Sequence, residues 1–422
     1  MGMIAKKSFL PRKKGLSHYL PAIILAKVLR PFFYFYFRKK KIALIGGHCG
    51  EKYADNAAAM HRFLRKNCPD YIVFFGLNDV HSPVAETIDG PVYKLGSVWN
   101  YLLYDHAVIS YYSHSLESDV APAIDFSRFA NPKLIKVYMG HGVDGLKKNL
   151  FNFDTRRSTY FICSSREEKR IKNKYWGIPE KKLIVTGMPR YDTLYTNRGQ
   201  APTRTVLYMP TWREWLNEDE TFFDSRYYQN ISGLLNHPGL HDVLRRHHYR
   251  LKVMLHPFMQ PMFQEVVKNN RQLPKDMFCR PDQDIQQLIL SCDLLITDYS
   301  SVSWDFYYLD KPVLFFQFDQ AEYLKIRGAY LDFSKDLFGD VTFTVDETVK
   351  QLGKILSLNK PADYYLHQVS QKSHFDFYDS NNRRRVIRRT LPGYQNESSG
   401  APVSHESRKQ LVDTASSRVD QS

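Results

Sequence analysis

"LLITDYSSVSWDFYYLDKPVLFF", residues 294–316, sets two apolar runs on either side of a polar junction and an aromatic stretch. The run Leu294-Leu295-Ile296 stops at Thr297-Asp298-Tyr299-Ser300-Ser301. The following residues, 302–309, read as a helix, and 312–316 as a second buried strand. Strand, helix and strand over so short a span form a βαβ unit, whose strands run parallel and are covered on both faces. In such sheets ligands bind beyond the carboxyl ends of the strands. Asp298 is delivered to that edge, and Ser300 and Ser301 stand at the start of the next helix. Free backbone N–H groups there suit a phosphate, and the two hydroxyls add donors. Simple capping of the helix by either serine is the alternative. Asp305 lies four residues beyond Ser301 on the same helix face, where it could accept a hydrogen bond from a polyol hydroxyl or stand as a surface carboxylate.

Working outward, the same alternation fills most of the chain. Apolar strands are expected at 41–47, 71–77, 106–112, 134–140, 160–165 and from 182, with helices at 55–67, 98–105 and 166–176. Asp55 or Asn56 is the expected cap of the first of these helices. Residues 195–204 are polar with Gly and Pro and read as a linker. Beyond it come strands from 205 and over 250–257, 293–297 and 312–316, with helices near 231–247, 284–292 and 302–309. The fold class expected is α/β, two Rossmann-like domains facing each other across a cleft. The first spans 41–195 and the second 205–392. Residues 393–422 are rich in Ser, Gln and Gly and are expected to be disordered.

Other strand ends carry polar punctuation. The strand at 134–140 runs into Gly140-His141-Gly142, with Lys147 and Lys148 two turns later. The strand at 250–255 ends in His256-Pro257. "PTWR" places Thr211, Trp212 and Arg213 at one edge, and "GMPRYD" places Arg190 and Asp192 at another. Imidazoles titrate near neutral pH and suit proton transfer, while arginines and hydroxyls suit phosphate. No metal-ligand cluster and no GxSxG elbow is evident, so neither a metal nor another cofactor is assigned. Five scattered cysteines without CxxC pairing point to a reducing compartment. The five arginines of "NNRRRVIRR" (381–389) read as the solvated face of a last helix.

The net charge of +15 is concentrated at one end. Residues 1–41 hold eleven Lys and Arg and no acid, which leaves +4 for the rest. That distribution argues against nucleic acid as a partner, since binding would need a basic face on the folded body. The same end carries "YLPAIILAKVLRPFFYFYF" (19–37), long enough to span a bilayer but interrupted by Lys27, Arg30 and Pro31. Residues 1–40 are therefore read as a basic, kinked amphipathic segment lying in the plane of an anionic membrane surface. A core helix of the first domain and a true span are the alternatives.

Taken together and in order, "YMGHGVDGLKK", "GMPRYDTL", "YMPTWR", "LHP" and "LITDYSSVSWDFYYLDKPVLF" resemble the CDP-glycerol glycerophosphotransferase family of teichoic-acid primases and polymerases. "GEKYADN" (50–56) and "RGAYLDF" (327–333) also look like family segments. The resemblance covers roughly 41–390. It implies a GT-B fold with the donor nucleotide held mostly by the second domain. It also implies transfer of glycerol phosphate or ribitol phosphate from CDP-glycerol or CDP-ribitol, with release of CMP. The implied acceptor is a hydroxyl of a polyprenyl-diphosphate-linked glycan or polyol-phosphate polymer, and the implied location is peripheral, on the cytoplasmic face of the cell membrane.

By the same resemblance His141 is the candidate general base and His256 the residue at the diphosphate. Ser300 and Ser301 bind phosphate, Asp305 lies near the polyol, and Arg190, Thr211 and Trp212 line the donor site. Arg213 joins the donor-side set, with Asp298 and Lys147 in support. The chain departs from the family after His141-Gly142, where it reads Val143-Asp144-Gly145, and at Ala57, where Pro is usual. Two further readings are a GT-B glycosyltransferase using a nucleotide sugar, similar to sialyltransferases, and a non-enzymatic membrane-bound glycan-binding protein.

Overall fold

Twelve strands form two sheets in the computed structural model of the chain, which describes residues 15–124, 129–149, 157–199, 201–216, 221–256, 259, 277–280, 283–358 and 374–394. The first sheet contains β1 (Lys41–Gly46), β2 (Tyr71–Leu77), β3 (Val92–Lys94), β4 (Ala107–Tyr112), β5 (Ile135–Tyr138), β6 (Tyr160–Cys163) and β7 (Leu183–Val185). Its spatial order is β3-β2-β1-β4-β5-β6-β7, and every pair is parallel. The second contains β8 (Thr205–Tyr208), β9 (Arg250–Val253), β10 (Leu294–Thr297), β11 (Val313–Phe316) and β12 (Asp340–Thr342). Its order is β12-β11-β10-β8-β9, again parallel throughout.

Central strands such as β10 and β11 are buried along their whole length, because helices cover both faces of each sheet. β3 and β12 lie at sheet edges, and their short mixed sequences carry no apolar run to reveal them. The single helix expected near 231–247 is two helices, Arg226–Asn236 and Pro238–Arg246. Pro238 has no N–H to continue the first and takes the opening turn of the second.

Each sheet reverses its winding once. In the first the switch falls between β1 and β4, and in the second between β8 and β10. These are the two places where adjacent crossovers diverge and leave a crevice beyond the strand ends.

Both ends of the described chain fold back onto the first sheet. The helix Asn382–Thr390 buries Val386 and Ile387 in the core around β1 and β2. Tyr71 donates to Pro392 O at 3.0 Å, and Tyr111 bonds Thr390 at 2.8 Å. So the last part of the stretch 205–392, expected to sit wholly with the second sheet, packs with the first. Its arginines are also not all solvated: Arg383 pairs with Asp192 and Arg385 with Asp379.

At the other end, Leu16–Phe37 is one helix that includes Pro21 and Pro31. Ile23, Ala26 and Phe37 are buried against the body of the protein, alongside the helix Val98–His106. Lys27, which looked costly in an apolar segment, pairs with the buried Asp105 and donates to Phe129 O at 2.9 Å. The outer face stays apolar and open, through Ile24, Leu25, Val28, Phe32, Phe35 and Tyr36. At about 100° per residue these six fall within an arc of about 120°. Of the tail 393–422 expected to be disordered, Gly393 and Tyr394 are ordered, with Tyr394 packed against the core around β1 and β2; residues 395–422, the basic flank at 12–14 and Pro257 lie outside the described residues.

Candidate active site

The two switch points meet at one seam. From the first sheet, β1 runs into His48, β4 into His114 and β5 into His141. From the second, β8 runs into Thr211-Trp212-Arg213 and β10 into Asp298–Ser301. One small pocket there is lined by His141, Gly142, Lys147, Tyr299 and Ser301, so groups from both sheets face a common space. The backbones come close enough that a Cβ on Gly142 would stand 2.8 Å from Ser301 Oγ. Gly145 O accepts from Tyr330 N at 2.9 Å and Leu331 N at 3.1 Å, and Lys148 N donates to Gly328 O at 2.9 Å. Thus the segment after His141 is laced to "RGAYLDF" of the other half.

Arg190 closes the seam. Its guanidinium bonds both oxygens of Asp305, at 3.0 and 3.2 Å, across the two halves. Its Nη1 also donates to Asp55 at 2.9 Å and to His141 O at 3.3 Å. Asn56 completes the set, accepting from Arg190 N at 3.1 Å and donating to Gly140 O at 3.0 Å. Asp55 and Asn56, expected as helix caps, therefore point into this network. The N-cap of Asp55–Asn67 is Ala54, with no side-chain cap. Asp55 holds φ at 60°, an unusual conformation for a non-glycine residue that the network sustains. Arg190 and Asp305 are both buried, so each answers the other's charge, and burial pushes the Asp305 carboxyl up to about 6 against the pull of Arg190.

The two serines differ. Ser300 Oγ accepts from Val302 N at 3.3 Å. Ser301 occupies the N-cap position of Val302–Tyr308 without making a side-chain cap bond. Thr211 Oγ1 is buried and has no hydrogen-bond partner among the described residues. Trp212 stacks on His256 with ring centroids 5.3 Å apart and planes 18° apart. Burial first, then the charge of Lys147, holds His256 below its ordinary value. Lys147 acts on His141 in the same direction, so one ammonium lies within electrostatic reach of both imidazoles. Burial, and next Arg327, keep Lys147 itself below its usual range.

Arg213 is elsewhere. It is 0% exposed and turns away from the seam into the second sheet. Its guanidinium bonds Asp319 at 2.7 and 3.0 Å, contacts Asp298 at 2.8 Å and reaches Thr211 O. Tyr227, Tyr299 and Tyr323 pack around it. Asp298 accepts from Thr211 N at 2.8 Å and Tyr299 N at 2.6 Å. This pair braces the ends of β8 and β10 beneath the surface that carries Thr211 and Ser301.

Reading strand ends one at a time missed His114 and Asp119. Asp119 is 0% exposed and accepts from Ser113 N at 2.9 Å, His114 N at 2.7 Å and Cys49 N at 3.0 Å. The available signal was "YYSHS", the same strand-then-histidine pattern as "MGHG". Cys49, His114 and Asp119 carry ligand atoms within 4.8 Å of one another. The Asp119 oxygens are engaged by backbone donors, and that geometry serves to seat the loop.

Residues 29–391 match the family described as CDP-Glycerol:Poly(glycerophosphate) glycerophosphotransferase. The chain is 26% identical over 321 residues to the minor teichoic acid biosynthesis protein GgaB of Bacillus subtilis (strain 168), covering 71% of this chain and 34% of that protein. It is also 26% identical over 351 residues to the teichoic acid poly(glycerol phosphate) polymerase of the same strain, covering 76% and 44%. The chain thus spans between a third and a half of the length of these relatives. The solved structure of the wall teichoic acid polymerase TagF superposes with a TM-score of 0.62 at 18% identity, over 88% of this chain and 94% of that one, and shares the GT-B fold of two parallel α/β halves. With the match running through both sheets and every element of the seam, the chain belongs to the CDP-glycerol:poly(glycerophosphate) glycerophosphotransferase family.

Proposed function

We propose that the protein transfers glycerol phosphate or ribitol phosphate from CDP-glycerol or CDP-ribitol to a hydroxyl of a cell-envelope glycan acceptor, releasing CMP. The acceptor is a polyprenyl-diphosphate-linked glycan or a polyol-phosphate polymer. The observation that carries this reading is the convergence of His141 and Lys147 from one sheet with Ser301 from the other. A proton acceptor, a cation and a hydroxyl at a helix start are the tools that phosphoryl-type transfer uses.

In this reading His141 takes the proton from the acceptor hydroxyl. The acceptor oxygen forms its bond to the phosphorus nearer the polyol. The bond from that phosphorus to the bridging oxygen breaks, and its electron pair leaves with CMP. Lys147, His256, Ser300, Ser301 and Thr211 hold the diphosphate and the charge that develops on it, while Trp212 supports His256 by stacking. Asp305 acts with Arg190 as the wall of the polyol site. Arg213 and Asp298 act from below by bracing the strand ends. The first sheet faces the acceptor and the second the donor.

We also place the protein at the cytoplasmic face of the membrane as a peripheral protein. Its exposed apolar arc on Leu16–Phe37 would lie in the lipid interface, with Lys27 turned into the protein. Phe32→Asp combined with Phe35→Asp should reduce co-sedimentation with anionic vesicles. Unchanged sedimentation of a folded double variant would remove this placement. Point substitutions suit the question better than deletion of the helix, which would leave Asp105 unpaired.

The reaction is tested by CMP release from CDP-glycerol and, separately, CDP-ribitol, with the full chain in detergent and a polyprenyl-diphosphate disaccharide acceptor. Acceptor-dependent release with one donor is the expected result. Consumption of CMP- or UDP-sugars in place of both would assign the site to a nucleotide-sugar glycosyltransferase. Binding of glycan without turnover of any donor would favour the non-enzymatic reading.

A further inference from the structure

We propose that His114, clamped by Asp119, is the positioning residue for His141. The inference rests on the reading of His141 as the proton acceptor. Its observation is a pair of imidazoles that lie parallel, with centroids 4.7 Å apart and planes only 6° apart.

The pairing follows from the sheet. β4 and β5 are neighbours in register, Tyr112 beside Tyr138, so the residues just past their ends come together. What holds His114 there is Asp119. Two backbone N–H groups of its own loop and that of Cys49 fix the carboxylate, and His114 Nδ1 lies 3.5 Å from Asp119 Oδ2. The seat is built by close backbone approach. A Cβ at Gly46 would fall 1.8 Å from Asp119 O, so the end of β1 has room only for glycine.

The two rings are pushed in opposite directions in consequence. Burial works against the imidazolium of His114, but the Asp119 carboxylate 3.5 Å from its Nδ1 outweighs it and holds His114 above its ordinary value. Burial, followed by His114, pushes His141 below its own. His141 is exposed at the seam, so solvent moderates that effect. Asp55, Lys147 and the backbone of Ser113 also act on His141, and Arg190 binds its carbonyl. His48 lies 5.6 Å from His114 and senses Asp55 and Lys52. Among these groups only His114 stacks on the ring of His141. Two imidazolium rings in that stack would repel, so a proton on His114 opposes a proton on His141 and disfavours its retention there.

The test compares His114→Phe, which preserves a flat ring and removes its charge, with His114→Ala, which removes both. The full-length protein in detergent is labelled at histidine, and the ring signal of His141 is followed by NMR from pH 4 to pH 8 (about the span over which imidazoles titrate in proteins). Its assignment comes from loss of the signal in His141→Gln. The pH profile of kcat and the donor KM are measured in parallel. In His114→Phe the His141 midpoint and the acid limb of kcat should both shift upward. In His114→Ala kcat should fall about 10- to 100-fold with donor KM unchanged, as expected for a misplaced base. If His114→Phe does not fold, His114→Gln carries the same comparison. A His141 midpoint and acid limb that stay put in the folded variant overturn the proposal, even where His141→Ala is inactive. Near-wild-type turnover of His141→Ala overturns instead the reading on which the proposal rests, whatever the midpoint does.

Discussion

The two switch points are built in opposite ways. Beyond β1, β4 and β5 stand three histidines whose rings contact one another. Beyond β8 and β10 the polar groups are tied down, with Arg213, Asp298, Asp319 and Tyr299 joined in a buried network. One edge keeps imidazoles, groups that can take up and release protons. The other fixes the backbone so that Thr211, Ser300 and Ser301 are presented on a rigid ledge. An enzyme that must move one proton and hold one polyanion needs both kinds of edge.

The contrast makes the two edges fail differently. The largest effect is expected on the proton-exchanging side. His141→Ala should lower kcat by about 10²–10⁴-fold, the range for loss of a general base, with the thermal unfolding midpoint unchanged. Substantial residual turnover would put the base elsewhere.

On the ledge side the largest effect is on stability. Arg213→Ala strands two buried carboxylates and should cost about 3–5 kcal/mol, read from urea unfolding. A variant that is stable but has a raised donor KM would mean that Arg213 meets the ligand, and the division between edges would collapse.

Trp212→Ala is smaller. Loss of the stack on His256 should cost about 0.5–1.5 kcal/mol in donor affinity, measured by titration with CDP-glycerol. The gentlest test is pH. A base must be neutral to act, and both His141 and His256 are held below the ordinary imidazole value. The acid limb of kcat/KM should therefore fall below pH ~6.5, the unperturbed histidine value. A limb above that value would show that burial and the positive neighbours of His141 do not govern it.

Much of this architecture was legible in the chain. Buried parallel strands are apolar throughout and stop at polar residues, so ten of the twelve strands among the described residues announced themselves, and their ends marked the seam where the two switch points meet. Edge strands β3 and β12 did not, because they lack the buried faces that force an apolar run. Direction was harder to read than position. "PTWR" put Arg213 at a strand end correctly, yet the side chain turns inward because Asp298 and Asp319 await it there. Asp55, Arg190 and Asp305 were each visible, but not as partners, since 135 and 115 residues separate Arg190 from the two acids. His114 escaped notice for a related reason: its meaning lies in stacking against a neighbour from another strand.

The guanidinium of Arg190 has an evolutionary consequence. It bonds Asp55 on one helix, both oxygens of Asp305 on another and the carbonyl of His141, so four positions share one planar fork. Lysine could not replace it, having neither the planar geometry nor enough fixed donors. Descent with modification should therefore keep Arg190, Asp55 and Asp305 or lose them together. Across relatives these positions should behave as a single inherited character rather than as three independent sites.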